Sequence, residues 1–172
     1  MTSIKGGTAT KVALTAVSTA LVYAMTCIAI HMPPPLGVWH AGDVASWIVA
    51  ILFGPYVGAF ACGVGAMLFD LWNPLYGSAF QIWAPATLVI RGLMGFLVGS
   101  VKRKLGSGRL SDVLAMVLGM VEKNTGYFLY DYMLFGSYAI LDLVTFYPLD
   151  AIAIIVTVPI LMAVRRATGL GG

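Results

Sequence analysis

The chain has 172 residues, of which 60% are hydrophobic, 10 are Lys or Arg and 7 are Asp or Glu. A soluble domain carries about 25% charged residues, whereas 10% are charged here and the mean hydropathy is +0.93, which excludes the soluble globular, disordered and nucleic-acid-binding classes. Because a membrane-spanning helix needs about 20 apolar residues, the length predicts one all-α membrane domain, residues 1–172, with six transmembrane helices.

Proline, glycine and charge separate the six predicted spans. Three consecutive prolines, Pro33 to Pro35, follow the first span, and proline cannot continue a helix. Gly54-Pro55 predicts a tight turn between the second and third spans. Residues 136–147 are predicted to form the loop before the last span. The predicted spans are residues 11–30, 43–53, 56–71, 82–101, 110–135 and 148–164.

The basic residues are distributed asymmetrically. Most of them lie at the two termini or in the loop between the fourth and fifth spans, and no predicted loop on the other side contains Lys or Arg. Because basic residues favour the cytoplasmic side, both termini are expected to be cytoplasmic. The residues that carry this signal are Lys5, Lys11, Lys102, Arg103, Lys104, Arg109, Arg165 and Arg166.

Acidic and aromatic residues collect on the opposite, outer side. One interpretation is an interfacial aromatic belt, although belts form at both interfaces and no Trp lies near the inner one. The other is an outward pocket that stacks a planar ligand and fixes it with a few polar groups. The clustered residues are Trp39, Trp47, Trp72, Trp83, Tyr76, Tyr130, Tyr132, Tyr138, Tyr147, Asp43, Asp70, Asp131, Asp142 and Asp150.

Three ionisable residues lie inside predicted spans: Arg91, Glu122 and Lys123. Each costs at least about 2.5 kcal/mol if it faces lipid without a partner, so each is expected to face inward. The fourth and fifth spans run antiparallel, which brings Arg91 and Glu122 to similar depth. They form either a structural ion pair or the floor of a binding cavity. One face of the fifth span carries a charged and aromatic stripe of Lys123, Tyr127, Tyr130 and Asp131.

Ala16, Ala20 and Ala24 form a stripe of small residues on the first span. Such a stripe lets another helix approach closely, either within the same bundle or from an external partner. The sequence has no ATP-binding P-loop and no hydrolase or metalloprotease motif, so neither an enzyme nor a cofactor is expected. His31 and His40 flank the proline loop and are interpreted as surface residues rather than as metal ligands.

Several short segments, densest between residues 42 and 99, carry a family resemblance. They are Gly42-Asp43, LFGPYVGA at residues 52–59, GVGAMLFD at 63–70, Tyr76, APATLVIRG at 84–92 and GYFLYD at 126–131. Together they resemble the substrate-binding S components of energy-coupling factor (ECF) transporters, vitamin importers related to ABC transporters. The subgroup with riboflavin-, pyrimidine- and pyridoxine-type carriers is the most similar.

The sequence departs from that subgroup at three positions. Arg91 stands where the family often has Lys, and Asp131 stands where Glu is common. Asp150 follows Pro148 where the subgroup often has Asn, which puts the usual ligand contact in doubt. The resemblance therefore implies a vitamin or related heterocycle as ligand without assigning which one.

The resemblance implies a multi-pass protein of a prokaryotic plasma membrane, embedded in the lipid bilayer. It further implies an outward pocket, docking of a membrane coupling (T) subunit on Ala16, Ala20 and Ala24, two ABC-type ATPases bound to that subunit, and transport by toppling within the bilayer. No nucleic-acid partner is expected. The candidate substrate-binding residues are Asp43, Asp70, Trp72, Asn73, Tyr76, Trp83, Arg91, Lys123, Tyr127, Tyr130, Asp131, Tyr147 and Asp150.

Two other functions are weighed against this one. A stand-alone secondary carrier or channel would use Arg91, Glu122, Lys123 and Asp131 as an ion relay, but six spans without an inverted repeat disfavour it. An intramembrane enzyme would need a nucleophile with a base, or a metal site, and the sequence shows neither.

Overall fold

The computed structural model describes residues 7–32, 37–74, 76–77 and 79–169, apart from the side chain of His31. Lys5 and the three prolines of the first loop lie outside the described residues. The helices are α1 (Thr8–Thr26), α2 (Gly42–Phe53), α3 (Pro55–Leu71), α4 (Ala84–Leu105), α5 (Arg109–Phe135) and α6 (Ile140–Thr168). The short strands β1 (Ala29–His31) and β2 (Val38–His40) pair antiparallel, and Gly136–Ala139 form a 3-10 turn between α5 and α6.

Helices α2 to α5 coincide with the second to fifth apolar segments, and their ends differ from the predicted ones by at most four residues. The predicted end of the first helix is wrong. It ends at Thr26 rather than at residue 30, and Ala29 pairs with His40 in a hairpin. The apolar composition of residues 27–30 could not show this, because short apolar strands and helices share it.

The predicted loop at residues 136–147 is also wrong. Gly136, with φ of +63°, ends α5, and α6 begins at Ile140 and runs on through Pro148 and Pro159. Proline usually interrupts a helix because it lacks an N–H group. It is tolerated in membrane helices where neighbouring groups satisfy the freed carbonyl. Proline at position 148 was therefore a poor marker for the helix start.

Three helical segments are long and apolar enough to cross a membrane: Thr8–Thr26, Ala84–Leu105 and the nearly continuous Arg109–Thr168. Helices α2 and α3 are apolar but shorter, at 12 and 17 residues. Large apolar side chains such as Val17, Phe60, Val89 and Ile155 are exposed on the flanks of the bundle. A lateral surface of this kind suits contact with lipid rather than water.

Glycines allow α3 and α4 to pack backbone against backbone. A Cβ at Gly63 would lie 2.7 Å from the carbonyl oxygen of Leu88, and one at Gly99 would lie 2.5 Å from the backbone nitrogen of Pro55. A larger residue at either position would push the helices apart. The close contact fixes α4, and with it the depth at which Arg91 lies.

One face of helix α1, which carries both polar and apolar side chains, packs against α3. The opposite face contacts no other described part of the bundle. Thr19 and Val22 are buried, and a Cβ at Gly65 of α3 would lie 2.8 Å from the Thr19 carbonyl oxygen. On the open face the small side chains of Ala16, Ala20 and Ala24 are all exposed. The alanine stripe therefore does not pack inside the described part of this bundle.

Candidate ligand-binding site

A cavity of about 90 Å³ opens at the end of the bundle opposite the basic α4–α5 loop. One water molecule needs roughly 10–15 Å³ on the same measure, so the cavity holds a group of several heavy atoms. The N-terminal parts of α2, α4 and α6 and the C-terminal parts of α3 and α5 surround it, and β2 covers one side. The lining residues are Gly37, Val38, Trp39, His40, Asp43, Asp70, Phe80, Trp83, Thr87, Arg91, Lys123, Asn124, Tyr127, Asp131, Asp142 and Phe146.

Four charged side chains form the floor of this cavity and its support. Arg91 pairs with Asp43 and also donates to Ser46 Oγ at 3.2 Å. Lys123 Nζ lies 2.8 Å from Asp43 Oδ2 and 2.8 Å from Asp150 Oδ2. We call Asp43, Arg91, Lys123 and Asp150 the floor network. It holds two positive and two negative charges, which offsets part of the cost of burying them.

The local fold explains how the floor network assembles. Asp43 lies in the first turn of α2, where the helix dipole favours a negative charge. Arg91 projects from α4, Lys123 from α5 and Asp150 from α6. The network therefore ties four helices together at one depth. Asp150 lies beneath the cavity and pairs with Lys123, so the departure from the expected Asn supplies the second negative charge.

Of the two alternatives for Arg91 and Glu122, a structural ion pair or the floor of a binding cavity, the structure shows no ion pair between them among the described residues. Asp43 reaches the guanidinium from α2, and Glu122 is half-buried with no ion pair in the described part of the chain. Glu122 and Lys123 are consecutive residues, so their side chains leave the helix about 100° apart. Lys123 faces the floor network, and Glu122 faces away from it.

Three further carboxyl groups form the wall of the cavity: Asp70, Asp131 and Asp142, here called the wall carboxyls. Trp83 Nε1 donates to Asp131 Oδ1 at 2.6 Å, and the carboxyls of Asp131 and Asp142 lie near each other in the cavity wall. The Oδ2 atoms of Asp70 and Asp142 are both buried without a hydrogen-bond partner among the described residues. Buried polar atoms normally have such a partner, so these oxygens are free to accept from a ligand.

Aromatic rings complete the wall. Phe80 stacks on Phe69 with ring centroids 6.0 Å apart and also lies 6.0 Å from Trp83. Tyr127 donates its hydroxyl to Thr87 Oγ1 at 3.0 Å, which fixes the orientation of the ring. Rings held in this way offer flat apolar surfaces to a planar ligand.

The hairpin brings His40 to the cavity, and the sequence-based placement of this residue on the surface is wrong. Ala41 N–H donates to the Ile28 carbonyl at 3.0 Å, which holds β2 over the start of α2. Burial lowers the pKa of His40 from 6.5 to about 3, with nearby Arg91 and Lys123 acting in the same direction and Asp43 opposing them. The imidazole is therefore neutral at physiological pH.

Seven of the predicted binding residues line the cavity, and six do not appear in its lining. The seven are Asp43, Asp70, Trp83, Arg91, Lys123, Tyr127 and Asp131. Among the others, Trp72 and Asn73 line a separate surface groove beside Tyr23. Tyr130 directs its hydroxyl to the Ile82 carbonyl at 2.7 Å. Whether the seven contact a ligand is a proposal.

The remaining predicted residues hold neighbouring structure. Tyr76 donates its hydroxyl to the Ala29 carbonyl at 3.3 Å and packs edge-on against Phe80, so it links the α3–α4 loop to the hairpin. Tyr147 lies partly buried on α6, and Asp150 supports the floor network.

Nine lining residues are absent from the candidate substrate-binding residues, although two of them, Trp39 and Asp142, belong to the outer acidic and aromatic cluster. Thr87 precedes Arg91 by one helical turn and Asn124 precedes Tyr127 by three residues, so helical spacing could have indicated both. The wrong loop assignment concealed the helical position of Phe146 and left Asp142 in a predicted loop. On the hairpin side, Gly37 and Val38 had no local signal, whereas Trp39 belongs to the outer aromatic cluster and His40 was assigned to the surface. The nine are Gly37, Val38, Trp39, His40, Phe80, Thr87, Asn124, Asp142 and Phe146.

Comparison with known proteins gives two matches. The sequence model of the family described as "ECF-type riboflavin transporter, S component" matches residues 7–166. A protein of Pyrococcus woesei, described as an uncharacterized protein in a gap 3′ region, is 38% identical over 110 residues, which cover 63% of this chain and 69% of the relative. The family match covers α1 to α5 in full and α6 up to residue 166.

Proposed function

Because the chain belongs to the S-component family of ECF-type riboflavin transporters, we propose that it is the high-affinity substrate-binding subunit of an importer for a vitamin or a related small heterocycle. This family is a transporter family, not an enzyme family. The observation that carries the proposal is the cavity of polar and aromatic residues at the end opposite the basic loop. A cavity of this composition both orients and stacks a small planar molecule.

We further propose that six helices span the plasma membrane of a prokaryote, with both termini in the cytoplasm. Lys102, Arg103, Lys104 and Arg109 lie at or beside the turn between α4 and α5, and Arg165 and Arg166 lie at the end of α6. The positive-inside rule places these ends in the cytoplasm. The cavity then opens to the outside, as uptake of a scarce nutrient requires.

The alanine stripe is the proposed docking surface for the membrane coupling subunit, which carries two ABC-type ATPases. Its three side chains are exposed, and in lipid the attraction between helices comes largely from van der Waals packing. Leu at Ala16 and Ala20 would hold a partner helix away without touching the cavity. The energy of ATP hydrolysis in the ATPases would be coupled to this chain only through such a contact.

Co-expression with a coupling subunit and its two ATPases tests the whole proposal. The parent should co-purify with them and support ATP-dependent uptake. The Ala16→Leu/Ala20→Leu variant should keep ligand affinity within about threefold, or roughly 0.65 kcal/mol, but lose co-purification and uptake. As a control, Val89→Leu changes an exposed residue of α4, a helix that carries no part of the stripe, and should keep both. Uptake at the parent rate in the double variant would refute the docking role.

A stand-alone secondary carrier is the second candidate, and intramembrane Arg91, Glu122, Lys123 and Asp131 motivated it. The structure gives it less support, because Arg91 and Lys123 are held by Asp43 and Asp150 rather than arranged as a relay. Uptake by this chain alone in vesicles, driven by an ion gradient and insensitive to ATP depletion, would favour the carrier over the S component.

A further inference from the structure

The charges around the cavity do not balance. The floor network is neutral in itself, since its two basic and two acidic side chains pair with one another. The wall carboxyls are three further acidic groups, and no further basic side chain accompanies them. In the described part of the chain, none of the three forms an ion pair with Lys or Arg. His40, the remaining titratable group of the hairpin side, is neutral.

The wall carboxyls present unused acceptors to the cavity. Asp70 is 8% exposed and Asp142 is 5% exposed, and each has a buried Oδ2 atom without a hydrogen-bond partner among the described residues. Asp131 and Asp142 lie close enough for their carboxylates to repel each other, so ionising both without a cation nearby is unfavourable. Asp70 adds a third acidic group on the α3 side of the cavity.

We propose, on the basis of the binding role proposed above, that the ligand is a heteroaromatic cation: a planar ring that bears a protonated amino group or a positively charged ring nitrogen. The wall carboxyls hold its charge and N–H donors, and the rings of Phe80, Trp83 and Tyr127 hold its plane. A cation near aromatic faces gains a further attraction from the ring quadrupoles.

Electrostatics decides against the other ligand classes. An unpaired carboxylate in a buried site is costly, and a ligand cation removes that cost by forming the missing ion pair. An anionic ligand would meet three acidic side chains and, among the described lining residues, no Lys or Arg that is not already paired, which disfavours anions. A neutral ring would form hydrogen bonds with the wall carboxyls but no ion pair.

Mass spectrometry of the compound retained through gentle purification from cells is the first test. A retained heterocycle with a fixed positive charge, or with an amine protonated at pH 7, is expected. A retained neutral or anionic compound, riboflavin included, would overturn this inference and leave the binding function standing.

If no compound is retained, calorimetric titration with probes decides. Thiamine and pyridoxamine serve as cationic probes, and riboflavin and pyridoxine as neutral ones. At least one cationic probe should bind at least tenfold more tightly than both neutral probes. Tighter binding of a neutral probe would overturn the inference alone, whereas no binding of any of the four would overturn it together with the proposed binding function.

Variants then locate the charge. Asp70→Asn and Asp142→Asn keep the shape of the side chain and should each weaken binding of the retained compound or the best probe at least tenfold. Glu122→Gln is the matched control, because Glu122 lies outside the cavity lining, and its affinity should stay within twofold of the parent. If both Asp variants bind with the affinity of the parent and have unchanged thermal stability, the wall carboxyls form no ion pair with the ligand.

Discussion

The two ends of the bundle each bury an ion cluster, and the two clusters differ in what adjoins them. At the basic end, Asp112 receives two bonds from Arg165, at 2.6 and 2.9 Å, and pairs with Lys102 at 2.7 Å. Lys102 also donates to Ser111 Oγ at 2.6 Å and to the Gly108 carbonyl at 3.3 Å. We call Asp112, Lys102 and Arg165 the inner cluster, and it joins α4, α5 and α6.

The floor network joins helices in a similar way but borders a cavity. Its neighbours include acidic oxygens without a partner and stacked aromatic rings. In the inner cluster, neighbouring carbonyl and hydroxyl groups accept from Lys102, and Arg165 Nε is buried without a partner among the described residues but lines no cavity. The same residue types thus serve structure at one end and a site at the other. What separates them is unused hydrogen-bonding capacity facing empty space, which ion pairing alone does not reveal.

The largest expected effect comes from breaking the floor network. Lys123→Met leaves Asp43 and Asp150 as buried charges without their shared partner, which costs about 3–5 kcal/mol. We expect ligand affinity to fall more than 100-fold and the thermal unfolding temperature in detergent to drop.

The paired variant Lys123→Met/Asp150→Asn restores neutrality in the floor network and should recover much of the lost stability, as a double-mutant cycle would show. If the single variant is as stable as the parent, the network does not hold the helices together.

Breaking the inner cluster should separate stability from binding. Asp112→Asn removes the charge that Lys102 and Arg165 share, and we expect a loss of about 1–3 kcal/mol in the free energy of unfolding. Ligand affinity should stay within twofold, because the cluster lies at the far end of the bundle. A tenfold loss of affinity, measured by calorimetry on folded protein, would erase the distinction between the two ends.

Two tyrosines on α5 sharpen the definition of the site. Tyr127 lines the cavity. Tyr130 does not, and its hydroxyl donates a hydrogen bond to the Ile82 carbonyl. Tyr127→Ala should weaken binding by about 1–3 kcal/mol if its ring stacks on the ligand, as aromatic rings do on nucleic-acid bases. Tyr130→Ala should leave affinity within twofold. Equal losses in both variants would mean that the cavity extends to the outer side of α5.

The smallest effect is a pH dependence at the hairpin. Because the pKa of His40 is lowered to about 3, the unfolded chain binds one more proton than the folded chain between about pH 6.5 and 3. Folding stability due to this residue is therefore present above pH 6.5 and decreases as the pH falls. Between pH 7 and 5.5, His40→Gln should lose less stability than the parent, by up to about 1 kcal/mol. Equal losses would place the imidazole in water.

The sequence predicted much of the helical framework and about half of the cavity lining. Hydrophobic runs and turn residues located α2 to α5, and helical spacing placed Lys123, Tyr127 and Asp131 on one face. The family resemblance is confirmed by the match over residues 7–166. Single positions such as Gly54-Pro55 carry strong local signals, and these were the reliable ones.

Contacts between distant segments could not be predicted. Asp43 and Arg91 are 48 residues apart, and only the packing of α2 against α4 shows that Asp43, not Glu122, is the partner of Arg91. The hairpin depends on pairing across a proline loop, which leaves no periodic pattern. Pro148 misplaced the start of α6 and left Asp142 in a predicted loop, because proline is a weaker helix breaker in a membrane bundle than in water.

The outward-facing cavity is the central claim, and cysteine labelling tests it most directly. In a background of Cys27→Ser and Cys62→Ala, Val38→Cys places a thiol in the cavity lining, and Ser107→Cys places one in the exposed basic loop. A membrane-impermeant thiol reagent applied to intact cells should label Val38→Cys, with protection by saturating ligand, and should reach Ser107→Cys only after permeabilisation. Labelling of Ser107→Cys in intact cells, with Val38→Cys reached only after permeabilisation, would contradict the account.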